Sequence, residues 1–318
     1  MLNIFQEVEE AEQRIRGYVR TTPLVPSPSL SAISSSDVYL KLENLQHTGS
    51  FKVRGAFNSL MSLSDEQRHN GVVTASSGNH GLAVAFALGK LGIPGTIFLP
   101  ENVAPVKYAK LQGYDVQIKL IQGDGIAVEI TATDYARRKS MAYISPYNDA
   151  RVIGGQGTIG VELQQQLAEL DCLFVAVGGG GLVSGTGGFL KEIKPGIRII
   201  GCEPQHSPAM SESVKAGRII EVEILDTLSD GTAGGIETES ITFEPCCRLV
   251  DEWVSVSETE IAEGMRWVFE HDNLVIEGAA GVVVAAFLKR AKELRGSCTA
   301  LVMCGANIDE DRFNALVT

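Results

Sequence analysis

The chain has no Cys-x-x-Cys pair. Its six cysteines are Cys172, Cys202, Cys246, Cys247, Cys298 and Cys304, and their spacing argues against a zinc knuckle. Several stand in apolar runs, where a reduced, buried thiol is the plain reading, so the compartment is read as reducing. Basic charge is also short. Lys and Arg number 27 against 39 acids, a net charge of −12. A nucleic-acid groove needs a basic face, so that partner is not expected; a small anion needs only a local set of amides. No apolar run is long: Gly278 to Leu288 falls short of the ~20 residues that span a bilayer, and no membrane partner is expected. The opening MLNIFQEVEEAEQRIRGYV carries acids where a secretory leader carries bases, so a cytoplasmic protein is expected. No segment follows the last helix-like stretch, so no appended regulatory domain is expected.

A hydrophobic content of 44% over 318 residues supports a large packed core rather than global disorder. Ile4, Phe5, Val8, Ala11 and Ile15 follow helical spacing and predict an N-terminal helix. Beyond it one pattern repeats. Short apolar runs at Val72–Ala75, Thr96–Leu99, Leu173–Val177, Ile197–Cys202 and Cys298–Met303 lead into glycine- or proline-rich turns, several then into helix-like segments. That alternation predicts an α/β fold with mostly parallel sheets wrapped by helices. Ligands of such sheets bind beyond the carboxyl ends of the strands, which is where the unusual residues stand. PLVPSPSLSAISSSD reads as an irregular crossing ahead of a strand at Val38–Leu42.

Three stretches carry chemistry. In ENLQHTGSFKVRGA, Lys52 lies between Phe51 and glycines rather than on an amphipathic face. A half-buried lysine has a lowered pKa and a free amine nucleophile; a surface lysine capping a helix is the alternative. SSGNHG, Ser76 to Gly81, joins a strand to a helix. Its amides are the unpaired donors of a helix start, a seat for a carboxylate, with Ser76, Ser77 and Asn79 adding side-chain donors; a plain N-cap is the alternative. GGGGL, Gly178 to Leu182, is a run of glycines whose backbone can approach an anion from several amides, a phosphate nest. It lacks the Lys-Ser/Thr ending of a P-loop and the spacing of a dinucleotide fingerprint; a tight turn is the alternative. A Cβ at Gly180 is expected to take the space of a phosphate oxygen.

In motif and order these stretches resemble pyridoxal-phosphate enzymes of fold type II, the tryptophan synthase β-like class, and specifically the serine/threonine dehydratase and serine racemase branch. The resemblance covers nearly the whole chain. It implies two three-layer α/β domains with open, mostly parallel sheets and pyridoxal 5'-phosphate in the cleft between them. The large domain would be 1–65 with 148–318, and the small domain 66–147. It implies that Lys52 holds the cofactor and later acts as a base on Cα, that Phe51 packs on the cofactor ring, and that Asn79 bonds its phenolic oxygen. Gly178, Gly179, Gly180, Gly181 and Leu182 would give amides to the phosphate. Cys304 would face the pyridine nitrogen, Gly231 and Glu277 would lie near the ring, and Ser76, Ser77, Asn79 and His80 would bind the substrate carboxylate. In racemising relatives a serine placed like Ser77 works on the face opposite the lysine. The partners implied are a small amino acid and a second copy of the chain in a homodimer.

A thiol, with a reference pKa near ~8.5, cannot keep a pyridine nitrogen protonated. A weak electron sink favours prompt loss of a β-leaving group, so Cys304 suits β-elimination. Some features depart from the branch. Metal-dependent relatives place an acid in the EP loop and another six positions on; here Glu203 is followed by Ala209, which leaves no metal expected and Glu203 as a weak candidate ligand. His206 reads as a solvated loop residue. The arginine of serine racemases is missing ahead of Gly125–Ile130, and Ser145 stands where many relatives have histidine. The expected activity is dehydration and deamination of L-threonine or L-serine to a 2-oxo acid and ammonia, a lyase reaction. The alternatives are a serine-type racemase with side dehydratase activity, a dehydratase for hydroxyaspartate, phenylserine or a hydroxyectoine-pathway intermediate, and a non-catalytic sensor of a phosphate ligand.

Overall fold

The structure is a computed structural model and describes residues 2–123 and 125–317. Its strands form two sheets. One has six strands in the order β1 (Leu24–Pro26), β2 (Asp37–Lys41), β10 (Cys298–Val302), β7 (Cys172–Ala176), β8 (Arg198–Pro204) and β9 (Glu252–Val256). Only the β1–β2 pairing is antiparallel. The other has four parallel strands in the order β5 (Gln117–Ile121), β4 (Gly95–Pro100), β3 (Val72–Ala75) and β6 (Ala142–Tyr143). The α/β reading with two mostly parallel sheets holds.

Both sheets are covered by helices, as parallel strands require. Helix Gly278–Arg290 packs across β7 to β10, and helix Gly181–Ile193 against β7. Helix Gly125–Arg138 packs across the four-stranded sheet, with helix Asn79–Leu91 against β3 and β4. The N-terminal helix runs Ile4–Ile15, capped by Asn3, and buries Ile4, Val8, Ala11 and Ile15, the residues picked out by spacing except Phe5.

The Pro/Ser segment is not irregular. It holds β1 and the helix Pro28–Ser34, whose N-cap Ser27 accepts from Leu30 N at 3.4 Å. Proline at the first helical position has no amide to lose and a φ suited to the helix, so a segment rich in Pro and Ser starts a helix here. β5, β6 and β9 carry too few buried residues in a row to stand out by pattern.

The strand ends point the chemistry to one place. β3 ends into Ser76–Gly78, β7 into Gly178–Gly180, and β10 into Cys304. Ser50 bridges Gly305, and Phe51 N donates to Cys304 O at 3.1 Å. Asn79, just past the end of β3, is hydrogen-bonded to Glu277 and Asn307, so the β3 end of the four-stranded sheet meets the β10 end of the six-stranded one.

Candidate active site

Lys52 opens the helix Lys52–Met61. Its Nζ donates to Pro146 O at 2.9 Å and lies 5.2 Å from the centroid of the Phe51 ring. Desolvation pushes the amine down to about 8, against the opposing pull of Cys304 and Glu277. A lysine in this setting is deprotonated in a useful fraction near neutral pH and has the free electron pair a nucleophile needs. Burial holds the Cys304 thiol well above its ordinary value, so Cys304 stays a neutral thiol beside that amine.

The Asn79 carboxamide is held from two sides. Its Nδ2 donates to Glu277 Oε1 at 2.7 Å, and its Oδ1 accepts from Asn307 Nδ2 at 2.7 Å. Asn307 N donates to Glu277 Oε2 at 2.9 Å, and Glu277 N to Gly305 O at 3.0 Å. An amide nitrogen has two hydrogens, so the arrangement leaves one for a ligand oxygen and fixes its direction. Gly231 comes to the same place: a Cβ there would lie 3.3 Å from Glu277 Oε1 and 3.9 Å from Asn79 Nδ2. Asn307 was not singled out from the sequence. Its signal was its place in MCGAN, three residues past Cys304 at the end of β10.

Helix Asn79–Leu91 follows β3 through Ser76, Ser77 and Gly78. Its first intrahelical donation is Leu82 N to Gly78 O, which leaves the amides of Asn79, His80 and Gly81 as helix-start donors with no backbone partner among the described residues. Ser76 Oγ turns back and accepts from Gly78 N at 3.3 Å. The His80 ring points to the neighbouring strand end. It is buried, its Nε2 donates to Ile144 O at 3.1 Å, and desolvation and the Lys52 charge push it down to about 3. A neutral ring has no charge for a carboxylate, so His80 offers the site its backbone amide.

Gly178 to Gly181 run from β7 into helix Gly181–Ile193, with Gly180 at φ +82 as its N-cap and Leu182 buried behind. The reason for glycine differs along the run. A Cβ on Gly178 would lie 2.9 Å from Thr232 Cα, and one on Gly179 2.4 Å from the ring of Tyr147. A Cβ on Gly180 would lie 2.7 Å from Cys246 Sγ and 3.0 Å from Met210 Cε, on the protein side. The expectation that it would displace a phosphate oxygen is therefore corrected: left-handed backbone and close packing impose glycine there. Gly180→Val is still expected to loosen the loop. Dialysed variant should lose cofactor that the parent retains, and stoichiometric retention would show that the anion seat lies elsewhere.

Tyr147, whose OH accepts from Glu237 N at 3.0 Å, lies over this loop and belongs to the segment that gives Pro146 O to Lys52. The sequence offered only a proline followed by Tyr-Asn-Asp as a hint. Ser145 Oγ accepts from Asn148 N at 3.0 Å and shapes that turn.

Glu203 is also a correction. Its two oxygens accept from Met210 N and Ser211 N, each at 3.0 Å, at the start of helix Ala209–Ala216. Desolvation pushes its carboxyl up to about 7. It caps a helix whose Met210 packs under Gly180, rather than facing outward as a ligand.

These residues fit pyridoxal phosphate. The glycine loop opens a helix, whose start suits an anion, and Lys52 is a low-pKa amine. Asn79 has one aimed hydrogen, Cys304 is a neutral thiol, and Ser50 Oγ next to Lys52 is buried with no partner among the described residues.

A family model described as "pyridoxal-phosphate dependent enzyme" matches residues 15–305, and the chain belongs to that family. Within it, the chain is 38% identical to the L-threonine ammonia-lyase of Thermotoga maritima, over 98% of this chain and 77% of that one. The processed form of threonine deaminase isoform 2 from Solanum lycopersicum superposes with a TM-score of 0.94 at 30% identity, over 98% of this chain and 87% of that one. Maize serine racemase superposes with a TM-score of 0.92 at 32% identity, over 98% and 95%. No helix among the described residues is long and apolar enough to cross a membrane.

Proposed function

We propose that the protein is a lyase that removes the elements of water from a β-hydroxy amino acid, L-threonine or L-serine, and releases ammonia to leave a 2-oxo acid. The observation that carries this reading is the pairing of a low-pKa lysine with a neutral thiol in one cleft, beside two helix starts. Pyridoxal phosphate supplies an electron sink for the electrons left on Cα. The protein's residues do the rest. The amides of Gly178 to Leu182 seat the phosphate, and Phe51 packs on the ring. Asn79, held by Glu277 and Asn307, gives its remaining hydrogen to the ring oxygen, while Gly231 leaves room beside it. The amides of Asn79, His80 and Gly81, with Ser76 and Ser77, hold the substrate carboxylate. The Lys52 amine would take the Cα proton. Cys304, held as a neutral thiol, would face the ring nitrogen without protonating it, which would suit loss of the β-hydroxyl, with a proton, as water. Incubating the holoenzyme with a panel of β-hydroxy amino acids, with 2-oxo acid and chirality assayed together, tests this. Absence of 2-oxo acid from every member would overturn it.

The reading takes 66–147 as the small domain, with 1–65 and 148–318 as the large one; the four-stranded sheet lies within the former and the six-stranded sheet within the latter. It also takes the working form to be a homodimer, and the compartment to be the reducing cytoplasm, which the free cysteines among the described residues suit.

A racemase is the second reading, favoured by the likeness to maize serine racemase and by Ser77. Racemisation needs proton delivery on the face away from Lys52; dehydration does not. Ser77→Ala should therefore end any production of D-amino acid. L-dehydration should fall less, through a lost carboxylate hydrogen bond worth about 1–3 kcal/mol. Chiral chromatography beside the 2-oxo acid assay reads both. Cα exchange at the parent rate would remove Ser77 as the second base.

A further inference from the structure

Two residues past Lys52 on the same helix, Arg54 is fully buried. Its Nε and Nη2 each donate at 2.8 Å to one oxygen of Glu43, and its Nη1 and Nη2 reach Glu162 Oε1 at 2.8 Å and Oε2 at 3.0 Å. Nη1 also donates to Thr158 Oγ1 at 3.1 Å. Glu43, Glu162 and Thr158 are themselves buried, and Lys41 Nζ completes the set at 2.6 Å from Glu162 Oε2. Arg16 reaches Glu162 from the rim at 2.7 Å.

Buried ion pairs of this kind add little net stability over an apolar packing of the same shape, because desolvation offsets the attraction. What a forked guanidinium adds is geometry: a planar group with its hydrogens spoken for fixes the distance and angle between the elements that hold it. Those elements are telling. Glu43 follows β2, and Asn44 N donates to Met303 O at 2.8 Å, next to Cys304. Arg54 rides on the helix that Lys52 opens. Glu162 and Thr158 ride on helix Ala150–Gln166, which follows the Pro146 carbonyl that receives the Lys52 amine. The two helices touch backbone to backbone beside Arg54, since a Cβ on Gly155 would lie 2.6 Å from both Arg54 O and Gly55 Cα.

We infer that Arg54 is a positioning residue, which through Glu43 and Glu162 sets where the Lys52 amine stands relative to Pro146 O and Cys304. The inference rests on Lys52 being the working amine. Lysine in place of Arg54 keeps the charge and loses the fork, so Arg54→Lys is the informative variant. In its apoprotein, hydrogen–deuterium exchange of amides 52–58 should speed by about tenfold. In its holoenzyme, kcat should fall by about tenfold to a hundredfold with KM little changed, since displacing a reacting group costs rate. The pH midpoint of the cofactor absorbance should move. Val268→Ala, a core truncation on helix Glu258–Asp272, is the control for lost stability alone and should show none of the three. Arg54→Lys indistinguishable from that control would overturn the inference. If Arg54→Lys does not fold, Glu43→Gln keeps the shape and must show the same three changes; parent values there would overturn it equally. Apoprotein exchange needs no turnover, so it separates failure of this inference from failure of Lys52 as the working amine.

Discussion

Lys52→Ala is expected to yield a folded protein that has lost both turnover and the yellow colour of lysine-bound pyridoxal phosphate. The fold survives because the side chain is half-buried and makes one hydrogen bond, to Pro146 O. Turnover does not survive, because the same amine is asked to hold the cofactor and to take the Cα proton. No other lysine amine is described in contact with Phe51 or hydrogen-bonded to the Pro146 turn. His80, the buried base nearby, is pushed down to about 3 and donates through Nε2 to Ile144 O, so it is a poor proton acceptor at neutral pH. Absorbance spectra and 2-oxo acid release read the two losses together. A variant that retains full dehydratase activity would overturn the assignment of Lys52.

Glu162→Gln should be the most destabilising single change at the buried ion cluster. Removing one partner of a buried pair leaves the others uncompensated, at a cost of about 3–5 kcal/mol. Here Lys41 and Arg54, both fully buried, lose their shared anion. The pH dependence has a definite sign. Burial alone would raise the Glu162 carboxyl, but Arg54 and Lys41 override it and hold the group down at about 2, against an ordinary 4.5. A depressed acid contributes stability above its unfolded pKa and loses it as pH falls through the folded value, here from about 4.5 toward 2, for a total on the order of 3 kcal/mol. Urea unfolding of parent and variant at pH 7 and at steps down to pH 3 should show a wide gap that narrows with acid. Parallel curves would mean that Glu162 is not the charge that holds the cluster.

Much of this was legible in order along the chain. Lys52 between Phe51 and glycines, the six-residue turn after Val72–Ala75, and the glycine run after Leu173–Val177 each carry their chemistry in adjacent residues. Backbone amides at a strand-to-helix turn are a local matter, and so is the burial of an apolar strand. The strand-turn-helix alternation determined the fold class for the same reason. Adjacency does not carry everything. The Pro/Ser segment reads as irregular because β1 depends on its antiparallel partner β2, and the helix after it on a capping serine.

Long-range pairings decided the rest. Asn79 and Asn307 are 228 positions apart, Lys52 and Pro146 94, and Arg54 and Glu162 108. In each case one residue is chemically mute until the other is set against it. The orientation of the His80 ring toward Ile144, of Glu203 toward a helix start, and of the Gly180 α-hydrogen that a side chain would replace toward Cys246 and Met210 has the same origin. The sequence determined which chemistry the chain carries, because nucleophile, anion seat and neutral thiol are properties of residues and their immediate neighbours. Only the tertiary structure decided where each group points, because direction at a buried polar atom is set by the partner that folding brings to it.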